Sequence, residues 1–275
     1  MTDDSRRIGD RQVTLLPDGI FELPPEVVVH PGGAEARDLA LGDGRDTVMR
    51  IDVNAFLLRG PDGVTLVDAG TGHAWGPGLG HARAALERHG IAPGQVDRVL
   101  LTHIHGDHAL GLLDDMEPWL PGAEILAPER DLAFFTDAAA REATPPERRG
   151  GFGIAEKLVR AYAGRLRGVP AGQVLPGIEL LPLPGHTPGH AGYLLHGDGT
   201  GDSLLLWGDL LHLSGPQSTD PELSVIYDLD PAEARFSRRA GLERAAGSGW
   251  LVAGGHVTGF NRVLRDGAGF RMVAG

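Results

Sequence analysis

Four apolar runs in this chain each end on a histidine or an aspartate: "VLLTHIHGDH" (99–108), "IELLPLPGH" (178–186), "SLLLWGD" (203–209) and "WLVAGGH" (250–256). Short aliphatic runs bounded by Gly or Pro read as buried strands. A polar group just past such a run stands where the chain leaves the sheet, a common position for functional side chains. Strand ends gathered on one edge of a sheet would bring His103, His105, Asp107, His108, His186, Asp209 and His256 together. The pattern therefore demands a sheet-based fold with one chemically loaded edge.

The surrounding sequence fits an α/β layered fold. Strand-like runs occupy 12–16, 53–59, 63–70 and 96–103, and "GHARAALERHG" (80–90) has helical spacing with a Gly stop. "HALGLLDDM" reads as a short helix and "AEILAP" as a strand. Residues 129–170 change character, with helices at "ERDLAFFTDAAAREA" and "AEKLVRAYAGRL" around the break "TPPERRGGFG". This helical insert reads equally as a cap over a site or as a peripheral pair. Strands return at 177–184, 191–197 and 203–209, followed by a helix at 230–247 and a strand at 249–256. The expected organisation is one domain over 1–275. Each half runs strands before a helix, which also admits an internal duplication.

Composition narrows the partners. With 25 Lys and Arg against 37 Asp and Glu, the net charge of -12 repels phosphate backbones, and no basic run offsets it. Nucleic acid and membranes are not expected; a small-molecule substrate is. No stretch approaches the ~18 apolar residues of a membrane span, and the N-terminal "MTDDSRRIGDRQVTLL" lacks the apolar core of a secretory signal, so a cytoplasmic location is expected. There is no cysteine, so a metal must be held by imidazoles and carboxylates.

His103 and His105, two apart in an extended segment, project the same way and suit one cation. Asp107 and His108, beyond Gly106, turn toward a second. Taken singly, the later groups have ordinary readings: His186 as a turn residue, Asp209 as a helix cap, His256 as a loop histidine. Taken jointly they complete two ligand sets, His103, His105 and His186 on one metal and Asp107, His108 and His256 on the other. Two cations need charge neutralisation, and a bridging carboxylate supplies it while fixing their separation; Asp209 suits that role, with a hydroxide beside it. The cofactor expectation is two divalent ions, zinc first, with Mn, Fe or Co as alternatives.

The succession "HIHGDH", "PGHTPGH", "WGD" and "GGH", over nearly the whole chain, resembles the metallo-β-lactamase fold hydrolases. That resemblance implies a four-layer αβ/βα sandwich with mixed sheets and the site along one edge. It also implies that Asp68 of "LVDAGTG" orients a ligand histidine from behind. "VNAFLL", "GPGLGHARAAL" and "WGDLLHL…DPELSVIYDLDPAEA" resemble the branch containing methyl parathion hydrolase and quorum-quenching lactonases. In that branch the residue three after the bridging aspartate lies near a substrate oxygen. Here it is His212, which would stabilise an oxyanion or protonate a leaving group, or serve only as a hydrogen-bonded structural residue. His190 reads as a residue that shapes the turn.

The expectation is hydrolysis of an ester, lactone or phosphotriester, with Asp107 accepting or relaying a proton. The alternatives are a thioesterase of the glyoxalase II type, whose usual C-terminal helical extension has no counterpart in the roughly 20 residues after His256, and a non-catalytic metal-binding protein of the same fold. The resemblance and the prevalence of two-fold oligomers suggest a homodimer. Pocket walls are expected from "GTGHAWGPG", the helical insert and "SGPQSTD", with Trp75, Phe134, Phe135 and Phe152 as candidate aromatic linings.

Overall fold

The structure is a computed structural model that describes residues 4–42, 48–199 and 201–275. Two seven-stranded sheets form its frame, and in each the strands lie side by side in the order they occur in the sequence. The first contains β1 (Ser5–Ile8), β2 (Arg11–Leu23), β3 (Met49–Gly60), β4 (Gly63–Val67), β5 (Arg98–Leu100), β6 (Glu124–Pro128) and β7 (Leu166–Val169). The second contains β8 (Gly172–Leu175), β9 (Ile178–Pro182), β10 (Ala191–Leu195), β11 (Leu204–Leu206), β12 (Leu251–Ala253), β13 (Asn261–Asp266) and β14 (Gly269–Ala274). Both are mixed. Strands β1 to β4 pair antiparallel and β4 to β7 parallel. In the second sheet only the β11–β12 pair is parallel.

Period-two alternation explains why these strands read as unbroken apolar runs. Val67, Leu100 and Leu126 point into a core shared with Leu180, Tyr193, Leu206 and Ala253 of the other sheet. Their neighbours Leu66, Val99 and Ile125 face the opposite way, onto Leu86 of the helix Ala82–Arg88 and onto Phe152 and Leu158 of the helix Gly150–Ala161. The second sheet does the same: Leu181, Leu205 and Val252 pack on Leu242 and Ala245 of the helix Pro231–Ser248. Strands buried on both faces cannot alternate in polarity. Three apolar interfaces separating four layers, helix, sheet, sheet and helix, match the expected sandwich.

Several local expectations change. The helix expected at 155–166 stops at Ala161, and Leu166–Val169 is instead the edge strand β7, paired in parallel with β6. The helical segment thus comprises Glu129–Thr136, Ala138–Ala143 and Gly150–Ala161. Past His108 the expected short helix is one turn, Gly106–Ala109, continued by a 3-10 turn and a two-residue hairpin at Leu113–Asp114 and Glu117–Pro118. The strands β1, β8, β13 and β14 were not anticipated. Among the described residues no helix is long and apolar enough to cross a membrane.

Candidate metal centre

Five of the strands end at the same place. After β5 the chain delivers Thr102 to His108, after β9 His186, after β11 Asp209, after β12 His256, and after β4 Asp68. The seven predicted donors converge there. Ligand atoms of His103, His105 and His186 form one group within 4.8 Å of one another, and those of Asp107, His108, Asp209 and His256 form a second. Asp209 faces both groups. Its Oδ1 lies 3.1 Å from His108 Nε2. Its Oδ2 lies 3.1 Å from His256 Nε2, 3.5 Å from His186 Nε2 and 3.8 Å from His103 Nε2.

Hydrogen bonds at the rear of the rings fix which nitrogens face inward. His108 Nδ1 lies 2.8 Å from Asp68 Oδ2, His186 Nδ1 lies 2.9 Å from Asp228 Oδ1, and His256 Nδ1 lies 2.7 Å from the carbonyl of Asp52. Each of these nitrogens faces an acceptor and so carries a proton, which leaves Nε2 as the lone pair whenever the ring is neutral. The Thr102 hydroxyl donates to Asp68 Oδ2 at 2.9 Å and therefore accepts from His103 Nδ1 at 3.1 Å, which leaves His103 Nε2 bare as well. These tautomers are assigned from the network. Four lone pairs are thereby aimed at carboxylate oxygens and at one another. His105 Nδ1 stands 3.1 Å from His103 Nε2 and 2.9 Å from His186 Nε2, and one proton there can satisfy only one of the two.

Such a set fits cations. The buried atoms His108 Nε2 and Asp209 Oδ1 have no hydrogen-bond partner, and a buried polar atom without a partner costs about 1–3 kcal/mol. Imidazoles and carboxylates with their outer atoms tied down are the donor chemistry of zinc and similar divalent ions. In the bare protein, protons take over the neutralisation. Burial disfavours a charged His108, but Asp209, Asp107 and Asp68 outweigh it and raise its pKa well above the ordinary value. His256 is raised to about 10 against the same desolvation, by Asp209 and Asp107. His105 moves the other way, to about 3, through desolvation and the neighbouring His186. Asp107 and Asp209 are held well below the carboxylate range because His108 and the other imidazoles overcome their burial.

The support for these side chains comes from far away in the sequence. Asp68 sits at a positive φ of 59° and accepts from Thr102 N, Thr102 Oγ1 and His108 Nδ1; non-Gly residues at positive φ are uncommon and cluster at functional sites. Gly255 is required by close approach: a Cβ there would lie 2.6 Å from Asp209 Oδ1 and 2.8 Å from His108 Cε1. His212 is buried beside Asp209, with Nε2 3.4 Å from Oδ2 and its ring stacked on His256. Burial lowers its pKa to about 4.

Two supporting residues, Asp228 and Asp131, escaped the sequence reading, and His190 does more than shape its turn. Asp228 holds His186 and the buried Arg238. Asp131 accepts from Ile104 N and Gly189 N, stitching the "HIHGDH" loop to the "PGHTPGH" loop. His190 donates to the Leu183 carbonyl and accepts the Asp209 N–H at 2.9 Å, so the turn residue also fixes the backbone that carries Asp209. The signal available was "YDLDP", where Asp230 caps the helix Pro231–Ser248 and Asp228 looks like part of the same cap.

A cavity of about 750 Å³ opens over the centre, with His105, Asp107, His186, Asp209, His212 and His256 at its floor. Phe21, Leu23, Ile51, Trp75 and Leu110 form one wall, and Arg148, Gly151 and Ile154 of the helical segment line it from another element. Two expectations fail here. "SGPQSTD" is the helix Ser214–Thr219 and lends no lining; Ile226, Tyr227 and Leu229 do so instead. Phe134, Phe135 and Phe152 do not line the cavity; they pack on one another at 5.1 to 5.3 Å between centroids.

Comparison with known proteins adds four findings. Residues 49–256 match the model of the metallo-beta-lactamase superfamily. A hydroxyacylglutathione hydrolase of Acidiphilium cryptum (strain JF-5) is 28% identical over 185 residues, which are 60% of this chain and 64% of that protein. The crystal structure of the hydrolase AbOPH, of the beta lactamase superfamily, superposes with a TM-score of 0.87 at 27% identity over 98% of this chain and 96% of that one. AidC, a dizinc quorum-quenching lactonase seen with its N-hexanoyl-homoserine product, superposes with the same TM-score and coverage at 20% identity, a likeness of fold.

Proposed function

The chain belongs to the metallo-beta-lactamase superfamily, and from that premise we propose that it is a dinuclear metal-dependent hydrolase of an ester, lactone or phosphotriester. The observation that carries this reading is the two-sided approach of Asp209 to both donor groups. His103, His105 and His186 would hold one cation, Asp107, His108 and His256 the other, and Asp209 both. When bound, the pair supplies a water-derived nucleophile near neutral pH and polarises the attacked oxygen.

The side chains divide the remaining work. Asp68 and Asp228 keep the His108 and His186 rings turned inward. Asp107, half-buried on the cavity floor and 3.4 Å from His256 Nε2, accepts or relays a proton. His212 stands at the cavity surface beside Asp209, placed to hydrogen-bond a substrate oxygen as charge develops on it.

The imidazole-rich donor set supports zinc as the resident metal. A single domain with a helical insert, a cytoplasmic location and a homodimer complete the proposal, the last to be read by light scattering. A second reading, thioester hydrolysis, has the relationship to the hydroxyacylglutathione hydrolase in its favour. It ranks lower because Arg148 is the one Lys or Arg among the described cavity-lining residues and Glu147 stands beside it, poor provision for an anionic thiol peptide.

The deciding experiment is metal analysis together with a panel of esters, lactones, phosphotriesters and thioesters. About two metals per chain with turnover in the oxygen-ester arms is expected, and both should vanish in Asp209→Ala and His105→Ala. Turnover that persists in metal-free variants, or two bound metals with no hydrolysis in any arm, refutes the proposal.

A further inference from the structure

Strand β3 runs on beyond the end of β4. It pairs with β2 from Met49 to Arg59, but with β4 only over Phe56–Gly60. Ahead of Phe56 the edge on the β4 side is turned instead to the loop after β12, which carries His256. In a strand the carbonyl of one residue and the N–H of the residue two further on point the same way. Here the Asp52 carbonyl accepts from His256 Nδ1 at 2.7 Å, and Asn54 N donates to the Gly255 carbonyl at 2.9 Å. The Asn54 side chain completes the hold. Its Nδ2 donates to the carbonyls of Gly254 at 3.2 Å and Val257 at 3.0 Å. These are the two ends of a turn closed by Val257 N on the Gly254 carbonyl at 3.4 Å, and His256 lies inside it. The strand is braced on its other edge. There β2 pairs Pro17 with Asn54 and bulges at Asp18, whose buried carboxylate accepts from the amides of Thr71, Gly80 and Ala82.

Asn54 is 2% exposed and belongs to the row of alternate residues that continues as Phe56 and Leu58 in the core between the sheets. An amide buried there costs stability unless its N–H groups find acceptors, and the acceptors it finds both belong to the His256 turn. The other imidazoles are held without this strand: His103 through Thr102, His108 through Asp68 and His186 through Asp228. Asp131 ties the loops of His105 and His186 to each other. Resting on the two-metal reading above, we propose that Asn54 is a positioning residue that sets the affinity of one metal position, that of Asp107, His108 and His256, and leaves the other to residues it does not touch. A strand of the first sheet thus tunes, through one amide, a donor that belongs to the second.

The test is zinc binding to the metal-stripped protein in competition with a chromophoric chelator, compared with Asn54→Leu and Asn54→Asp. Both substitutions keep roughly the volume of the side chain. Leu offers no donor, and Asp sets a carboxylate against two carbonyls, so its effect should be the larger. The unmodified protein should bind two ions. Each variant should keep one with unchanged affinity and hold the other about 10- to 100-fold more weakly. In the stripped variants amide hydrogen exchange should quicken across 254–258 and stay unchanged across 102–108, a split that a general loss of stability would not produce. Where Asn54→Asp fails to fold, Asn54→Leu carries the same comparison. Two ions held as tightly as before, both weakened in parallel, or exchange that quickens equally in the two loops overturns the proposal and leaves the dinuclear reading standing. A single ion in the unmodified protein refutes that reading, and the proposal with it.

Discussion

Replacing Asp228 with asparagine should weaken the fold and the metal centre together, by amounts that can be worked from its contacts. One oxygen of Asp228 lies 2.9 Å from His186 Nδ1, and the other lies 3.5 Å from Arg238 Nη2. Arg238 is only 1% exposed. Its other partners are the carbonyls of Leu210, Pro221 and Leu223 at 3.0, 3.1 and 2.6 Å, which satisfy its N–H groups without cancelling its charge. Removing one member of a buried ion pair costs about 3–5 kcal/mol, and the three carbonyls argue for the lower end. For a chain of this size each kcal/mol moves Tm by about 2–4 °C, so metal-stripped Asp228→Asn should melt about 6–12 °C below the unmodified protein. The amide oxygen still accepts from His186 Nδ1, so the ring keeps its direction but loses an anionic partner, and metal affinity should fall about 10- to 100-fold. Thermal unfolding after chelation reads the first effect, and competition with a chromophoric chelator reads the second. Adding Arg238→Met should recover part of the stability, since replacing both charges is far milder than orphaning one, but not the affinity. Equal melting temperatures for the stripped proteins, or recovery of affinity in the double variant, would refute this account of Asp228.

Gly255→Ala puts a methyl 2.6 Å from Asp209 Oδ1; it should cost about 1–3 kcal/mol as an overpacked site and lower the metal content per chain measured by elemental analysis. Burial pushes the Tyr162 hydroxyl up to about 12. A raised folded value means its contribution is complete below the unfolded pKa of about 10 and is lost as pH climbs toward 12. Tyr162→Phe should therefore lack that alkaline loss in urea titrations, while being about 1–2 kcal/mol less stable at neutral pH because the Leu112 carbonyl and Leu120 N–H lose their partner. A parallel alkaline slope in both proteins would assign the loss to other groups.

How much of this was legible beforehand depended on the range of the interaction. The convergence of the seven groups could be read because four follow β5 and the other three follow β9, β11 and β12, each within a few residues of its strand's end, so local periodicity and strand-end chemistry were enough. Asp228 and Asp18 could not: the ring that Asp228 holds is 42 residues away, and the amides that Asp18 gathers are 53 to 64 away. Strand β7 was misread as the tail of a helix because "RLRGV" carries too few residues for either period to declare itself, and only pairing with β6 decides it. The β13–β14 hairpin is a different failure. "RDGAGF" holds a two-residue Gly-X loop, Gly267–Ala268, between the paired Asp266 and Gly269, a hairpin signal that was passed over.

The strict succession of strands in each sheet also bears on how the protein comes into being. As the chain leaves the ribosome, β1 to β7 can assemble from neighbours already made, with little entropy spent on closing long loops. That first half carries only His103, His105, Asp107 and His108. The other three donors arrive with β9, β11 and β12, so neither ligand set is complete until the second sheet has docked. A metal pair seated afterwards would act as a removable clasp between two halves made at different times, a reversible counterpart of the disulfides this cysteine-free chain cannot form.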